Sequence, residues 1–501
     1  MLRFRSELLL QHLASMPLLK LLVPFAIGIV LGELWVAPVW LLLLLVVVAG
    51  VSELLFHRNL FLIVALVATG WLDRELHERP STVPTQLRTA YLIRVESEGT
   101  MRDGRIRAEG VLECWRNPET GDWYAAEGGL RLVADSTIQL GYGDRLLHEG
   151  QIYPFRYGAE SYRRLMARRG FVGSCYLTER SLLWQEPSDQ TTLHVASATR
   201  LKRRLAEVGG AGTDAAQAVV CAMTVGDRSG LESELRDAYA RSGMAHLLAV
   251  SGLHTGIVFA LVNLLLVWLP LVRHGHIVRN LLVIVAVWSF VAAAGFPPSA
   301  VRAAVMCSIL QLALAGSSTY RAMNAWSAAA LGMLAWNPLW IGDVGFQLSF
   351  VAVAAILLWG VPLGRRCRVR WRVVNGAVQT IVVGLTASVA TAPLVSHHFG
   401  IVPMVGVWFN PLVILLGTLV VAGGVWVLIS PLRLDFVEEG VVRLAELQNS
   451  MAERIATMEG AVAEVSLGSG ETVALMTLFL LLTVIGGCCE IVPKKALLHV
   501  E

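Results

Sequence analysis

Charged residues are distributed very unevenly along this chain of 501 residues, and no other sequence feature limits its fold more. Of its 41 basic and 38 acidic side chains, 47 lie in residues 73–242. Residues 243–364 carry only five, and residues 373–432 carry none. Soluble domains have about 25% charged residues along their whole length. We therefore predict a polytopic α-helical membrane protein with a polar domain inserted between its membrane-embedded parts.

Apolar runs on both sides of the polar domain are long enough for membrane spans, which need about 20 residues. Arg3, Arg5 and Lys20 predict a cytoplasmic start, because positive residues favour that side. Three runs then place residue 73 outside, and five more runs lead to the arginine-rich segment 365–372, which again indicates the cytoplasm. Segment 373–432 fits two spans plus a partly re-entrant piece. The eight runs are 18–35, 39–56, 60–72, 243–272, 277–294, 300–315, 322–341 and 344–361.

The pattern of residues divides the chain into six parts. We predict N-terminal transmembrane helices in 1–72, an extracytoplasmic β-domain in 85–185, a polar helical linker in 195–242, a transmembrane core in 243–431, an amphipathic helix in 432–470 lying on the membrane or on the domain, and a last transmembrane helix with a tail in 471–501. The expected location is the plasma (inner) membrane.

The β-domain is predicted to contain five strands, since apolar and polar residues alternate between turn signals. A short basic helix at 160–169 precedes the last strand, which is compatible with a small barrel of the OB type. The strands are 91–96, 105–114, 130–134, 145–153 and 171–177.

Seven cysteines occur without a CxxC pair or a Cys/His spacing, so we expect no metal site. Cys114 and Cys175 lie near the ends of two predicted strands. In an oxidising compartment they would form a disulfide, and otherwise they would be two buried free thiols. The sequence leaves both alternatives open.

Polar residues inside apolar segments are costly and are therefore candidates for function. Ser251 and His254 are three residues apart and His246 is two turns from His254, which predicts one shared helix face. Arg302 follows the break formed by Gly295 to Ser299. Asp343 and Gln347 open a later apolar run.

Three interpretations compete for this polar set. An intramembrane hydrolase would need a nucleophile activated by a base, yet GxSxG and HExxH motifs and paired carboxylates are all missing. Single residues could simply bond neighbouring helices. A polar conduit explains best why the residues recur at helix breaks.

The β-domain also carries a basic segment with aromatic residues nearby. It could bind nucleic-acid phosphates and stack bases, or it could be an ordinary solvated helix face. The candidate contacts are Arg163, Arg164, Arg168 and Arg169, near Tyr153, Phe155, Tyr157 and Tyr162.

Ordered motifs resemble one family, the ComEC competence proteins, which are multi-pass channels for DNA uptake. The most specific match is 246–254, and the others are 224–228, 295–303, 337–338, 343–350, Pro393, 398–400 and 410–412. The resemblance implies an external OB-type domain that contacts DNA. Many members continue into a metallo-β-lactamase-like domain; no HxHxDH motif occurs here, so we expect a short form that is not an enzyme.

The resemblance implies an inner-membrane channel that takes up single-stranded DNA during natural transformation. Its partners would be the DNA strand, membrane lipid, a DNA receptor, a cytoplasmic helicase or single-strand-binding protein, and further copies of the chain. No cofactor is expected. A small-solute or lipid transporter and an intramembrane hydrolase are the alternatives. The conduit would be lined by His246, Ser251, His254, Arg302, Asp343, Gln347 and Asp227.

Overall fold

A computed structural model describes residues 16–490, except 57–58, 78–82, 84, 98, 103, 156–162, 164–165, 168–169, 189–191, 209–212, 272–273, 316–321, 405, 459 and 461. The chain forms two compact units. One is His77–Arg200, and the other combines the chain before it with the chain after it.

The first three helices are α1 (Pro17–Leu34), α2 (Val39–Phe56) and α3 (Asn59–His77). Glycines let α1 and α3 approach closely: a side chain at Gly28 would collide with the carbonyl oxygen of Val67, and one at Gly70 with that of Phe25. Small residues at such contacts are typical of helix packing in membranes. The predicted helices are thus present before the polar domain.

After the polar domain, thirteen helices follow among the described residues, joined by short 3-10 and π segments. They are α4 (Leu193–Leu205), α5 (Thr213–Val225), α6 (Ser233–Arg241), α7 (Gly252–Leu265), α8 (Gly275–Ala293), α9 (Pro298–Ala315), α10 (Ala322–Trp336), α11 (Val344–Ala355), α12 (Val361–Arg366), α13 (Arg372–Phe399), α14 (Gly406–Ile429), α15 (Asp435–Ala456) and α16 (Ser469–Glu490).

Seven helical segments in the described part of the chain are long and apolar enough to cross a membrane. This number fits the predicted polytopic membrane protein. Helices also form over four other predicted runs, 60–72, 300–315, 322–341 and 472–491, and their role as membrane spans stays a prediction. The seven segments are Pro17–Leu34, Val39–Phe56, Gly252–Leu271, Gly275–Ala293, Val344–Arg366, Val374–Phe399 and Pro411–Ile429.

Segment 373–432 contains two membrane-length helical segments, as predicted. It forms two long helices, α13 and α14, and Pro393 and Pro411 lie inside them. Proline is tolerated there because neighbouring groups satisfy the freed carbonyls. The two helices are joined by strand β9 (Ile401–Pro403), which pairs with β10 (Val462–Glu464). Whether part of this connection is re-entrant stays a prediction.

The predicted amphipathic helix, α15, packs inside the protein against α14, α5 and α6. Part of its polar side is buried: Tyr239 Oη donates to Asn449 Oδ1 at 2.7 Å, and Arg204 Nε lies 3.3 Å from Glu438 Oε1. Glu439 and Arg443 are exposed, and the expected position on the membrane or on the polar domain stays a prediction.

The second unit is a mixed β-sheet with strand order β6-β7-β4-β3-β1-β5-β8, and β2 pairs with β3. All five predicted strands are present, and β2 and β8 were missed. The sheet confirms a β-domain, while closure into an OB-type barrel stays a prediction. The strands are β1 (Thr89–Val95), β2 (Thr100–Arg102), β3 (Arg105–Arg116), β4 (Trp123–Asp135), β5 (Arg145–Gly150), β6 (Ile152–Tyr153), β7 (Phe171–Leu177) and β8 (Leu182–Glu186).

Cys114 and Cys175 are free thiols, so the disulfide alternative is not formed. Cys114 lies on β3 and Cys175 on β7, and both strands pair with β4, where Cys114 is opposite Ala125 and Cys175 is opposite Leu132. These two positions are seven residues apart along β4, which corresponds to about 23 Å. A disulfide needs Cα atoms about 4.4–6.8 Å apart. Burial raises the pKa of the Cys175 thiol to about 12.

Candidate functional site

A short non-helical stretch, residues 244–251, lies directly before α7 and is held by two side chains from elsewhere in the same unit. Arg228 Nε donates to the carbonyl oxygen of Leu248 at 3.0 Å, and Ser299 Oγ donates to that of Val250 at 2.6 Å. Backbone carbonyls inside a membrane protein must be satisfied in this way. We call this stretch the 244–251 segment.

Gly226 brings the turn before Arg228 against the same segment. Its φ is +76°, a conformation that favours glycine, and a Cβ there would lie 3.1 Å from the carbonyl oxygen of Ala294 and 3.6 Å from Val250 Cγ2. Three sequence motifs, 226–228, 246–254 and 295–302, therefore meet at the 244–251 segment.

The start of α7 carries two of the predicted residues. Ser251 occupies the position before the first helical turn, and its N–H donates to His254 Nδ1 at 3.2 Å. His254 is fully buried. Within the described residues, His254 Nε2 and Ser251 Oγ have no hydrogen-bond partner. Because Nδ1 accepts a hydrogen bond, the neutral ring carries its proton on Nε2. One buried polar atom of each side chain thus lacks a hydrogen-bond partner.

His246 does not share a helix face with Ser251 and His254, which corrects the sequence prediction. It lies in the 244–251 segment, where its Nδ1 is 3.1 Å from the carbonyl oxygen of Gly243. Apolar composition predicted a helix from residue 243, but the backbone turns here and becomes helical only at Gly252. The signal for this start was the Ser251–Gly252 pair, since serine is a preferred N-cap residue.

Arg302 and Asp343 lie on either side of Gly345. A Cβ at this glycine would be 3.4 Å from Arg302 Nη2 and 3.1 Å from Asp343 Oδ1. Arg302 is only 5% exposed, and its positive charge faces the acid nearby. Asp343 also accepts a hydrogen bond from the N–H of Phe346 at 2.8 Å and so caps α11. The opposite charges offset each other inside an apolar environment.

The helices carrying Arg302 and His254 are in contact, because a Cβ at Gly252 of α7 would lie 3.5 Å from Ala303 Cβ of α9. Gln347 faces elsewhere: its Nε2 donates to the carbonyl oxygen of Ile341 at 3.0 Å. The amide of Gln347 therefore stabilises the turn before α11.

Asp227 is engaged by the linker rather than by the 244–251 segment. Its Oδ2 lies 2.5 Å from Lys202 Nζ, and its Oδ1 accepts from the N–H of Ser229 at 2.9 Å. Burial alone would raise the pKa of Asp227, but the hydrogen bonds from Lys202 and Ser229 bring it below its ordinary value. Sequence reasoning chose Asp227 as a lining residue, whereas its neighbour Arg228 is the one that contacts the segment.

In the β-domain, Arg164, Arg168 and Arg169 lie outside the described residues, and Arg163 is exposed. The structure adds a pair of exposed aromatic rings: Tyr153 and Tyr176 meet edge to face, with centroids 5.6 Å apart. They are 47% and 46% exposed. Sequence reasoning missed Tyr176, although it lies between the inward positions of Cys175 and Leu177.

A family model described as "Competence protein" matches residues 223–489, just over half of the chain. The chain belongs to this competence protein family. The match includes the 244–251 segment, Arg302, Asp343 and Arg228. The predicted resemblance is therefore confirmed.

One curated relative of this competence-family chain is ComE operon protein 3 of Bacillus subtilis (strain 168). It is 31% identical over 199 residues, which cover 39% of this chain and 24% of the relative. The chain thus aligns with about a quarter of the relative's length. No solved structure matches the chain. Among the described residues, no three or more His, Cys, Asp or Glu side chains are grouped to hold a metal ion.

Proposed function

We propose that this competence-family protein is an inner-membrane channel through which one DNA strand enters the cell during natural transformation. The observation that carries the proposal is the 244–251 segment. It is non-helical, it is followed by a membrane-length helix, and the free atoms Ser251 Oγ and His254 Nε2 lie beside it. Non-helical backbone at membrane depth is tolerated where it lines a cavity or is covered by protein.

The charge at this site suits a strand in transit. A conduit must replace the hydration of each phosphate with hydrogen-bond donors, yet bind weakly enough to release it. His254, Ser251 and His246 supply neutral groups. Arg302 supplies a cation whose charge is partly offset by Asp343. Asp227 and Gln347 act in this proposal as positioning residues, because their side chains hold neighbouring turns.

The β-domain would receive the DNA outside the membrane. Its strand pairing supports OB-type closure: β4 and β7 are parallel, β5 pairs with β1, and β6, only one residue further along, pairs with β7. Tyr153 and Tyr176 would stack bases, and the basic residues Arg163, Arg164, Arg168 and Arg169 would contact phosphates. In this scheme a DNA receptor acts before the channel, and a cytoplasmic helicase or single-strand-binding protein acts after it.

An acyl-transfer enzyme receives no support from the geometry. A serine nucleophile needs hydrogen-bond contact with its base. Within the described chain, Ser251 Oγ has no such partner, and His254 Nδ1 already accepts from the backbone. The protein is therefore proposed to transport DNA and not to cleave a bond.

Uptake of labelled DNA by cells tests the proposal. His254→Ala and Arg302→Ala should insert at normal levels and lower uptake at least tenfold, since each removes a polar group of the conduit. His276→Ala, which removes an exposed histidine at the start of α8, is the matched control and should transport normally. Normal transformation after deletion of the gene, or in both variants, would show that the proposal is wrong.

A further inference from the structure

A second polar cluster lies on the same helices α7, α8 and α9, at the end away from His254 and Arg302. Arg279 Nη2 donates to Asn263 Oδ1 at 2.9 Å. Gln311 Nε2 donates to Asn280 Oδ1 at 2.7 Å and lies 3.4 Å from Asn263 Oδ1. We call these four residues the Arg279 cluster.

The cluster forms a separate polar layer. Asn263 follows His254 by nine residues along α7, and Gln311 follows Arg302 by nine along α9, which corresponds to about 13.5 Å of helix. Between the two layers the three helices pack through apolar side chains such as Val258, which is 5% exposed, and Val283, which is fully buried. The Arg279 cluster is therefore not an extension of the first site.

Charge distinguishes the two layers. Residues 243–364 contain four arginines and a single acid, Asp343, which lies beside Arg302. Among the residues that the structure describes, Arg279 donates to neutral oxygens, the side-chain and backbone oxygens of Asn263 at 2.9 and 3.4 Å. Helices α7, α8 and α9 contain no Asp or Glu, so no acid of these three helices compensates the charge of Arg279.

The cluster also has unused hydrogen-bonding capacity. In the part of the chain that the structure describes, Arg279 Nε is buried without a hydrogen-bond partner, and its N–H is a donor that a phosphate oxygen could accept from. If the cluster only held neighbouring helices together, its three amide side chains would be sufficient and the charge of Arg279 would not be needed. A guanidinium fork held by one amide, with a free Nε–H, matches the oxygens of a phosphate group.

We propose that the Arg279 cluster binds a phosphodiester group as a second contact of the channel, at the far end of α7 and α9 from the 244–251 segment. We take the DNA strand as the source of this phosphate group, and in that respect the inference rests on the proposed function. The phosphate of an anionic lipid headgroup offers the same chemistry. The experiment below separates the two sources.

The test uses the purified full chain in nanodiscs of neutral phosphatidylcholine, with a fluorescent single-stranded oligonucleotide as the probe. Arg279→Gln removes the charge but keeps an amide, and Arg279→Lys keeps the charge. We expect Arg279→Gln to weaken binding about tenfold and to lower the salt slope by about 0.7. Arg279→Lys should retain most of the affinity. Arg241→Gln, which removes an exposed arginine of α6, is the control.

A second arm compares thermal unfolding in neutral discs and in discs with phosphatidylglycerol. If anionic lipid stabilises the wild type but not Arg279→Gln, while oligonucleotide binding is equal, the phosphate belongs to lipid. If neither probe distinguishes Arg279→Gln from the wild type, the site is overturned, whatever the role of the gene. Normal transformation after gene deletion, together with Arg279-dependent phosphate binding, would instead overturn only the proposed function.

Discussion

His148 makes the stability of the β-domain depend on pH. It lies on β5 between Tyr91 of β1 and Leu182 of β8, and its side chain is 1% exposed. Burial lowers the pKa of His148 to about 4, so the folded domain holds it uncharged at neutral pH. In the unfolded chain the pKa of histidine returns to about 6.5. Acid therefore charges the unfolded state first, and stability falls as the pH drops from about 6.5 to 4.

The two pKa values set the size of this effect. At pH 4.5 the difference in proton binding corresponds to a loss of about 2.5 kcal/mol relative to pH 7. Urea unfolding of the His77–Arg200 unit, which has its own hydrophobic core, measures it. His148→Leu removes the titrating ring, while every carboxylate stays the same in both proteins. Equal losses of stability in the wild type and His148→Leu between these pH values would refute the buried, neutral histidine.

Two further predictions concern the sites themselves. Gly226→Ala should destabilise the helical unit by about 1–2 kcal/mol and lower DNA uptake, because φ at this residue is +76°. Gly256→Ala, where a Cβ meets open space, is the control. Transformation frequency and the amount of membrane-inserted protein are measured for both variants. The double variant Tyr153→Ala with Tyr176→Ala should lower the affinity for single-stranded DNA about tenfold or more in a fluorescence titration. Trp184→Ala, which removes an exposed aromatic residue on β8, is the control, and an equal loss of DNA affinity in this variant would contradict a specific stacking surface.

The strands of the β-domain could be predicted from sequence because their alternation of apolar and polar residues is local. Burial in β4 follows this pattern from Leu130 to Ala134. What strand alternation cannot show is distance across the sheet. Cys114 and Cys175 looked equivalent in sequence, yet the register places them opposite residues seven apart on β4.

The helical unit was harder to predict because hydropathy reports burial and not backbone conformation. Residues 244–251 are as apolar as a helix, but their carbonyls bond to Arg228 and Ser299, which are 20 and 49 residues away from their partners in sequence. Such long-range donors are invisible to a local pattern. The same holds for α15, whose pattern predicted an amphipathic helix but could not show that Asn449 and Glu438 are buried against other helices.

Electrostatic pairing, and not charge alone, separates the roles of Arg302 and Arg279. Both follow the start of their helices by four residues, and both lie in a region with few charges. Arg302 has an acid beside it, so it can stay in place without a ligand and offer phosphate only a weak contact. Arg279 has amides instead, so a phosphate would complete its environment. A DNA strand moving along α7 and α9 would then pass a weak phosphate site at Arg302 and a stronger one at Arg279. The contribution of Arg279 to DNA binding should depend more steeply on salt than that of Arg302, because counterion release contributes more at an arginine without an acid beside it.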